Sequence, residues 1–101
     1  MRVLDFLKLI NDISKNTFFK FEAPDGHLYN LATFKYQIIN EEAQIVFDIV
    51  NLKHHTLHQW ELFYLLNKKM YMQAYLYINW HNELYPIFGF RIDKNQNALL
   101  G

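Results

Sequence analysis

Apolar residues in the first sixteen positions recur at the spacing of one helical face. Val3, Phe6 and Ile10 lie on that face, and charged residues alternate with them on the other. Asn16 suits the left-handed conformation that ends many helices. The pattern predicts an amphipathic helix from Met1 to about Asn16.

The apolar period then shortens to two residues, which is the period of a strand. Phe19 and Phe21 alternate with polar neighbours, and the Ala-Pro-Asp-Gly sequence at 23–26 is typical of a tight turn. The alternation predicts further strands over 29–39 and 43–50. Because so few residues connect these two, we expect an antiparallel hairpin.

A second helix is predicted after residue 56. The Thr-Leu-His-Gln sequence at 56–59 fits a capping box, with its threonine as N-cap, and the helix would end near Lys69. Its residues leave almost no polar side, which predicts burial on more than one face. Trp60 and Phe63 lie three positions apart, and we expect both to be central to the core.

The last third of the chain predicts a second hairpin. Residues 70–78 alternate in a way that favours a strand, with a continuation of the second helix through Ala74 as the alternative. The returning strand, over 84–93, contains Pro86, which lacks an amide donor and therefore belongs at an edge or a bulge. The apolar end of the tail, 98–100, either docks or frays.

The fold class follows from this order of helix, three strands, helix and two strands. We predict one α+β domain over 1–101, with an antiparallel sheet of about five strands and both helices on one face. The 101 residues are 51% hydrophobic and 18% aromatic, which suffices for one core. No apolar run approaches the ~18 residues of a membrane span, and Asp5 and Lys8 break the amino-terminal stretch. We therefore expect a cytoplasmic protein with no membrane partner.

Charge and composition narrow the classes of partner. Ten basic and ten acidic residues cancel, and the adjacent pair Lys68–Lys69 is the only basic cluster. Nucleic-acid binders usually gather a basic excess on one face, so nucleic acid is an unlikely partner. The absence of cysteine excludes disulfides and thiolate metal sites. The abundance of Asn, Lys, Ile, Tyr and Phe suits an AT-rich bacterial or phage genome.

One cluster has metal-ligand residue types: His54, His55, His58 and Glu61. Two histidines four residues apart can share a metal when both lie on one helix. If the helix begins at 56, His54 and His55 precede it and diverge from His58. We therefore expect no metal site and no cofactor.

Catalytic chemistry has little support in the sequence. The single serine, Ser14, falls on the polar side of the first helix, and the three glycines are scattered rather than grouped in a phosphate loop. Glu41 and Glu42 are adjacent acids in a turn, a pattern typical of a solvated surface rather than a general acid–base pair. We expect neither an enzyme nor a small-molecule site.

The strongest anomaly is the aromatic face of the second hairpin. Five residues are expected there, pointing away from the helices: Tyr71, Tyr75, Tyr77, Tyr85 and Ile87. Tyrosine is enriched at interface hot spots, although aromatics also suit ordinary strand surfaces. We predict a small non-enzymatic binding or regulatory module that contacts a partner protein, or a second copy in a homodimer, through this face. The alternative is a nucleic-acid-associated accessory protein, with bases stacked on Tyr75, Tyr77 or Phe90.

Overall fold

The computed structural model describes residues 1–101 and contains two helices, one 3-10 turn and seven strands. The helices are α1 (Val3–Ile10) and α2 (Gln59–Leu66), and the 3-10 turn Lys69–Tyr71 follows α2. The strands are β1 (Phe19–Glu22), β2 (Leu28–Ile39), β3 (Glu42–Val50), β4 (Tyr75–Trp80), β5 (Glu83–Pro86), β6 (Phe90–Ile92) and β7 (Ala98–Leu100). Neither helix has the length and apolar content needed to cross a membrane.

The strands form one mixed sheet in the order β5-β4-β3-β2-β1-β7-β6. Consecutive hairpin strands pair antiparallel, whereas β3 pairs with β4 and β1 with β7 in parallel. Helix α2 makes the crossover that a parallel β3–β4 pair requires. β5 and β6 are close in sequence but stand at opposite ends of this order, so the sheet curls. The Ile87 amide donates to the Leu76 carbonyl at 3.0 Å within the connecting segment.

The single α+β domain is confirmed, but the antiparallel sheet of about five strands is wrong. The predicted strand over 84–93 is divided, because Ile87 turns into the core and separates β5 from β6. The tail docks instead of fraying: 98–100 is buried and becomes β7, with the Ala98 amide donating to the Phe18 carbonyl at 2.8 Å. Pro86 lies on β5, an edge strand, as predicted.

The first helix is shorter than predicted. α1 ends at Ile10, whose carbonyl accepts a hydrogen bond from the Gln59 side chain at 2.9 Å. The following residues form turns, and the Asn16 amide donates to the Ser14 hydroxyl at 3.3 Å. The last helical carbonyl is therefore satisfied by the Ile13 amide at 3.2 Å and by the distant Gln59 side chain, and Asn16 does not cap the helix.

The second helix begins later than its predicted capping box. The Thr56 hydroxyl donates to the Phe19 carbonyl and accepts from the Leu31 amide at 3.1 Å, so this residue joins β1 to β2. His58 is the N-cap, and its amide donates to the Glu61 carboxylate at 3.0 Å. Thr56 therefore hydrogen-bonds two strands through its buried hydroxyl instead of capping the helix as the sequence pattern predicted.

The core lies between the concave side of the sheet and the two helices. Its buried residues come from both helices and from alternate positions of the strands, and the largest are Phe6, Ile10, Phe19, Leu31, Ile45, Phe47, Leu62, Leu66, Leu76, Ile78, Ile87 and Leu100. Helix α2 contributes Leu62 and Leu66, but Trp60 is 52% exposed and Tyr64 72% exposed. Burial of this helix on several faces is therefore a wrong prediction, since only one side of it meets the core.

The segment 70–78, predicted as a strand with a continuation of the second helix as the alternative, is partly a 3-10 turn and partly a strand. A 3-10 turn occupies Lys69–Tyr71, and β4 begins at Tyr75. The helix does not continue through Ala74, whose carbonyl instead accepts from the Val3 amide at 2.9 Å.

Candidate functional site

Two of the five predicted interface residues share the outer face of the sheet. Along β4, Leu76 and Ile78 are buried, so Tyr75 and Tyr77 point away from the core. Tyr85 pairs with Ile78 in the β4–β5 hairpin and therefore lies on the core side. Its ring contacts Trp80 edge-on, with centroids 5.3 Å apart. The prediction that Tyr85 shares a face with Tyr75 and Tyr77 is wrong, because the register of the β4–β5 hairpin differs by one residue from the one expected.

The other two predicted residues also lie elsewhere. Ile87 is 1% exposed and belongs to the core. Tyr71 packs against the core side of β2, with its ring 5.9 Å from Phe34 and 5.4 Å from Tyr36. The five residues therefore do not form one continuous surface.

The outer face around Tyr77 carries a chain of side-chain hydrogen bonds, which we call the sheet face. The Gln37 amide donates to Gln44 at 2.8 Å, and the Gln44 amide donates to Glu42 at 2.9 Å. The Tyr77 hydroxyl donates to the same Glu42 carboxylate at 2.6 Å. On the neighbouring strand, Val46 pairs with Tyr77 and is 0% exposed. These bonds give the Tyr77 hydroxyl and the Gln37 and Gln44 amides partners within the chain.

Electrostatics of the sheet face reflect the short Tyr77–Glu42 hydrogen bond. It raises the pKa of Tyr77 to about 12, with partial desolvation and the Glu42 charge acting in the same direction. The hydrogen bonds from Tyr77 and Gln44 lower the pKa of Glu42 below its usual value. Tyr75 is positioned differently, with the Arg2 guanidinium 5.4 Å from its ring centroid.

The opposite side of the molecule has an open groove between α1 and α2. One cavity of about 550 Å³ and another of about 280 Å³ share Asn11, Phe63 and Asn67, so they form one depression, which we call the helix groove. Its remaining lining residues are Leu4, Leu7, Lys8, Gln59, Trp60, Tyr64, Lys68 and Met72. Apolar and amide side chains dominate this lining.

The charges of the helix groove have one sign. Lys8 and Lys68 are its charged lining residues, and the Lys68 ammonium lies 5.9 Å from the Tyr64 ring centroid. Neither Trp60 nor Tyr64 makes a side-chain hydrogen bond to another residue. The groove therefore combines exposed aromatic area with positive charge.

Helix α2 is firmly held where it presents these rings. Its first amides, those of Gln59 and Trp60, donate to the carbonyls of Thr17 at 2.9 Å and Lys15 at 3.2 Å. These bonds satisfy donors that a helix start otherwise leaves unpaired. The exposed rings thus project from a helix anchored to the α1–β1 connection, which limits the conformational cost of binding.

A second group of side chains converges at the start of α2. His55 Nε2 lies 3.1 Å from Glu61 Oε1, and His58 Nδ1 lies 2.6 Å from the same oxygen. The prediction that the histidines diverge is wrong for His55 and His58, because the helix begins after both. His54 is outside this group.

The helix groove was missed because an apolar helix was equated with a buried one. A signal was present: Trp60 and Tyr64 lie four residues apart on one helical side, while Leu62 and Leu66 occupy another. The sheet and helix α1 cover only one side of the eight-residue helix α2, so the apolar residues on its other side stay exposed.

Comparisons with known proteins give no indication of the functional site of this chain. No family model matches the chain, and no curated protein or solved structure is significantly similar to it.

Proposed function

We propose that this chain is a small non-enzymatic binding module that makes protein–protein contact through the helix groove. The observation that carries the proposal is the pair Trp60 and Tyr64, 52% and 72% exposed, on an anchored helix beside a depression. Large exposed apolar patches are typical of interaction sites. Tryptophan and tyrosine are also the residues that most often dominate binding energy at such sites.

The chemistry of the groove favours an acidic amphipathic helix as the partner. Elongated grooves between helices take the apolar face of a helical segment, which anchors at positions one turn apart. Lys8 and Lys68 would attract acidic residues flanking that apolar face. A second copy is disfavoured on this surface, because groove-to-groove contact would bring like charges together.

A selection from displayed helical peptides tests this proposal. The wild-type chain serves as bait, and the double variant Trp60→Ser/Tyr64→Ser serves for counter-selection. We expect peptides with an apolar stripe at helical spacing and flanking Asp or Glu. Their affinity should fall at least about tenfold in the double variant, which corresponds to roughly 1.4 kcal/mol.

The matched control is Tyr75→Ser, which removes an aromatic ring from the sheet face. The proposal fails if this variant weakens peptide binding as much as the helix-groove variant does, or if the selected peptides carry Lys and Arg instead of acids. The sheet-face contact through Tyr75 and Tyr77, with a partner or in a homodimer, stays a prediction, and light scattering after size exclusion reports the homodimer.

Nucleic acid is the competing ligand for a groove lined by lysines. Fluorescence anisotropy with labelled single- and double-stranded probes near physiological salt should detect weak binding at most, because phosphate neutralisation needs several clustered cations. A submicromolar, salt-sensitive complex lost in Lys8→Ala or Lys68→Ala would make nucleic-acid association the better function.

A further inference from the structure

We infer that His55, His58 and Glu61 form a binding site for a first-row transition-metal dication such as Zn²⁺. Two imidazole nitrogens and a carboxylate oxygen are ligands that this class of ion accepts. The three ligand atoms all lie within 4.8 Å of one another. None of the three residues lines the helix groove, although the His58 ring centroid lies 6.4 Å from that of Trp60, and the inference does not depend on the proposed function.

The distances from each histidine to Glu61 can be compared with those that coordination requires. Metal–ligand bonds of about 2.0–2.1 Å place tetrahedral ligand atoms about 3.3 Å apart. The two His55–Glu61 separations are 3.1 and 3.3 Å, and the His58–Glu61 separation is 2.6 Å. Coordination would therefore lengthen the His58–Glu61 separation by about 0.7 Å, with the ion replacing the proton that the His58 ring and the Glu61 carboxylate share.

Two of the three ligands are held in place before any ion binds. The His58 ring packs against Phe18 with centroids 4.5 Å apart, and the backbones of these residues form a β-bridge. Glu61 accepts from the His58 amide at 3.0 Å and is only 20% exposed. His55 is 62% exposed on the preceding loop and closes the site from outside.

The charges around the three ligands determine how tightly we expect the ion to bind. An ionised carboxylate favours a cation, whereas the positive end of the α2 dipole opposes it. Three protein ligands also leave at least one position for water. We therefore expect moderate affinity rather than the tight binding of a four-ligand structural site.

Calorimetry on the chain without an affinity tag tests the site with Zn²⁺ as the probe. We expect one ion per chain with a dissociation constant below about 10 µM, and no comparable heat from Mg²⁺, which prefers oxygen ligands. His58→Asn should weaken zinc binding at least about tenfold. The matched control His54→Asn removes a neighbouring imidazole outside the cluster and should leave the affinity unchanged.

Nuclear magnetic resonance of the histidine ring nitrogens supplies a measurement on the unaltered chain. Zinc should shift the ring signals of His55 and His58 and leave those of His27, His54 and His81 in place. The inference is overturned by absent zinc binding, by equal shifts at His54, or by a His58→Asn variant that folds and still binds zinc with wild-type affinity.

Discussion

The sheet face and the helix groove both expose aromatic residues, but they differ in how their polar atoms are satisfied. On the sheet face, Tyr77 donates to Glu42, and the neighbouring amides of Gln37 and Gln44 extend the same hydrogen-bonded chain. In the helix groove, Trp60 and Tyr64 make no such bonds and stand out from their helix. The sheet face carries a network of internal hydrogen bonds, while the helix groove leaves apolar area uncovered.

This difference shows that aromatic content alone does not locate an interaction surface. Tyrosine suits a strand surface because its ring covers neighbouring side chains and its hydroxyl finds an acceptor. The Tyr77 hydroxyl finds its acceptor in Glu42, and Val46, its neighbour on β3, is fully buried. Trp60 and Tyr64 are more than half exposed and have no side-chain hydrogen bond, which is why the proposed contact is assigned to the helix groove.

The largest expected effect separates the two sides of α2. Leu62 is 0% exposed, so Leu62→Ala should destabilise the fold by about 2–5 kcal/mol. Trp60→Ala removes a larger but half-exposed ring and should cost about 1 kcal/mol or less. Thermal unfolding followed by circular dichroism should show a decrease of about 10 °C or more for Leu62→Ala and a few degrees for Trp60→Ala. Equal decreases would mean that Trp60 belongs to the core and that the groove is not free to bind.

An intermediate effect concerns the hydrogen bond that completes the sheet face. Tyr77→Phe removes the hydroxyl and keeps the aromatic ring, so we expect a small loss of stability between about pH 5 and 10. Ultraviolet titration of the phenols should lose its step near pH 12, because that step belongs to Tyr77. A step that persists in Tyr77→Phe would show that another tyrosine carries it.

The pH dependence of this pair follows from the direction of each pKa change. The folded pKa of Tyr77 is raised above its ordinary value of 10.0, so its stabilisation is complete below pH 10 and is lost as pH rises through about 12. The folded pKa of Glu42 is lowered, so its contribution is present above its ordinary value of 4.5 and is lost as pH falls below it. The difference in unfolding midpoint between wild type and Tyr77→Phe should therefore shrink at both extremes. Peptide binding at the helix groove should not change.

The smallest expected effect lies in the turn that joins β2 to β3. Asn40 and Glu41 have φ of 49° and 67°, which is the left-handed pair of a type I′ turn, and glycine is preferred at its second position. Glu41→Gly should stabilise the fold by about 0.5–1 kcal/mol, because relief of side-chain strain exceeds the added chain entropy.

A matched variant exists in the β4–β5 hairpin. His81 and Asn82 have φ of 53° and 61°, but asparagine tolerates the left-handed region, so Asn82→Gly should give a smaller gain than Glu41→Gly in chemical denaturation. An equal or larger gain from Asn82→Gly would show that side-chain strain is not the cause. Neither variant changes a residue that lines the helix groove, so each alters the sheet without altering the groove.

Strands that depend on local alternation were predicted well. Phe19 and Phe21 are buried as their period indicated, and β2 and β3 form the expected antiparallel hairpin within one residue of the predicted bounds. A period-two pattern with one buried face specifies both the strand and the side that packs inward.

Long-range pairing could not be predicted from the same signals. Nothing local indicates that 98–100 pairs in parallel with β1, or that Ile87 interrupts the last predicted strand to enter the core. The predicted interface failed as a single surface for a related reason. Tyr85 changes sides when its partner is Ile78 rather than Tyr77, and only the hairpin geometry decides that register.

The sequence by itself determined the single α+β domain, the burial of Phe19 and Phe21 on β1 and the edge position of Pro86, because each follows from local periodicity or backbone chemistry. Only the tertiary structure decided which side of α2 stays uncovered and that His55, His58 and Glu61 converge. Both outcomes depend on where α2 begins. That start is set by partners distant in sequence, since Thr56 joins β1 to β2 and the carbonyls of Lys15 and Thr17 receive the first helical amides.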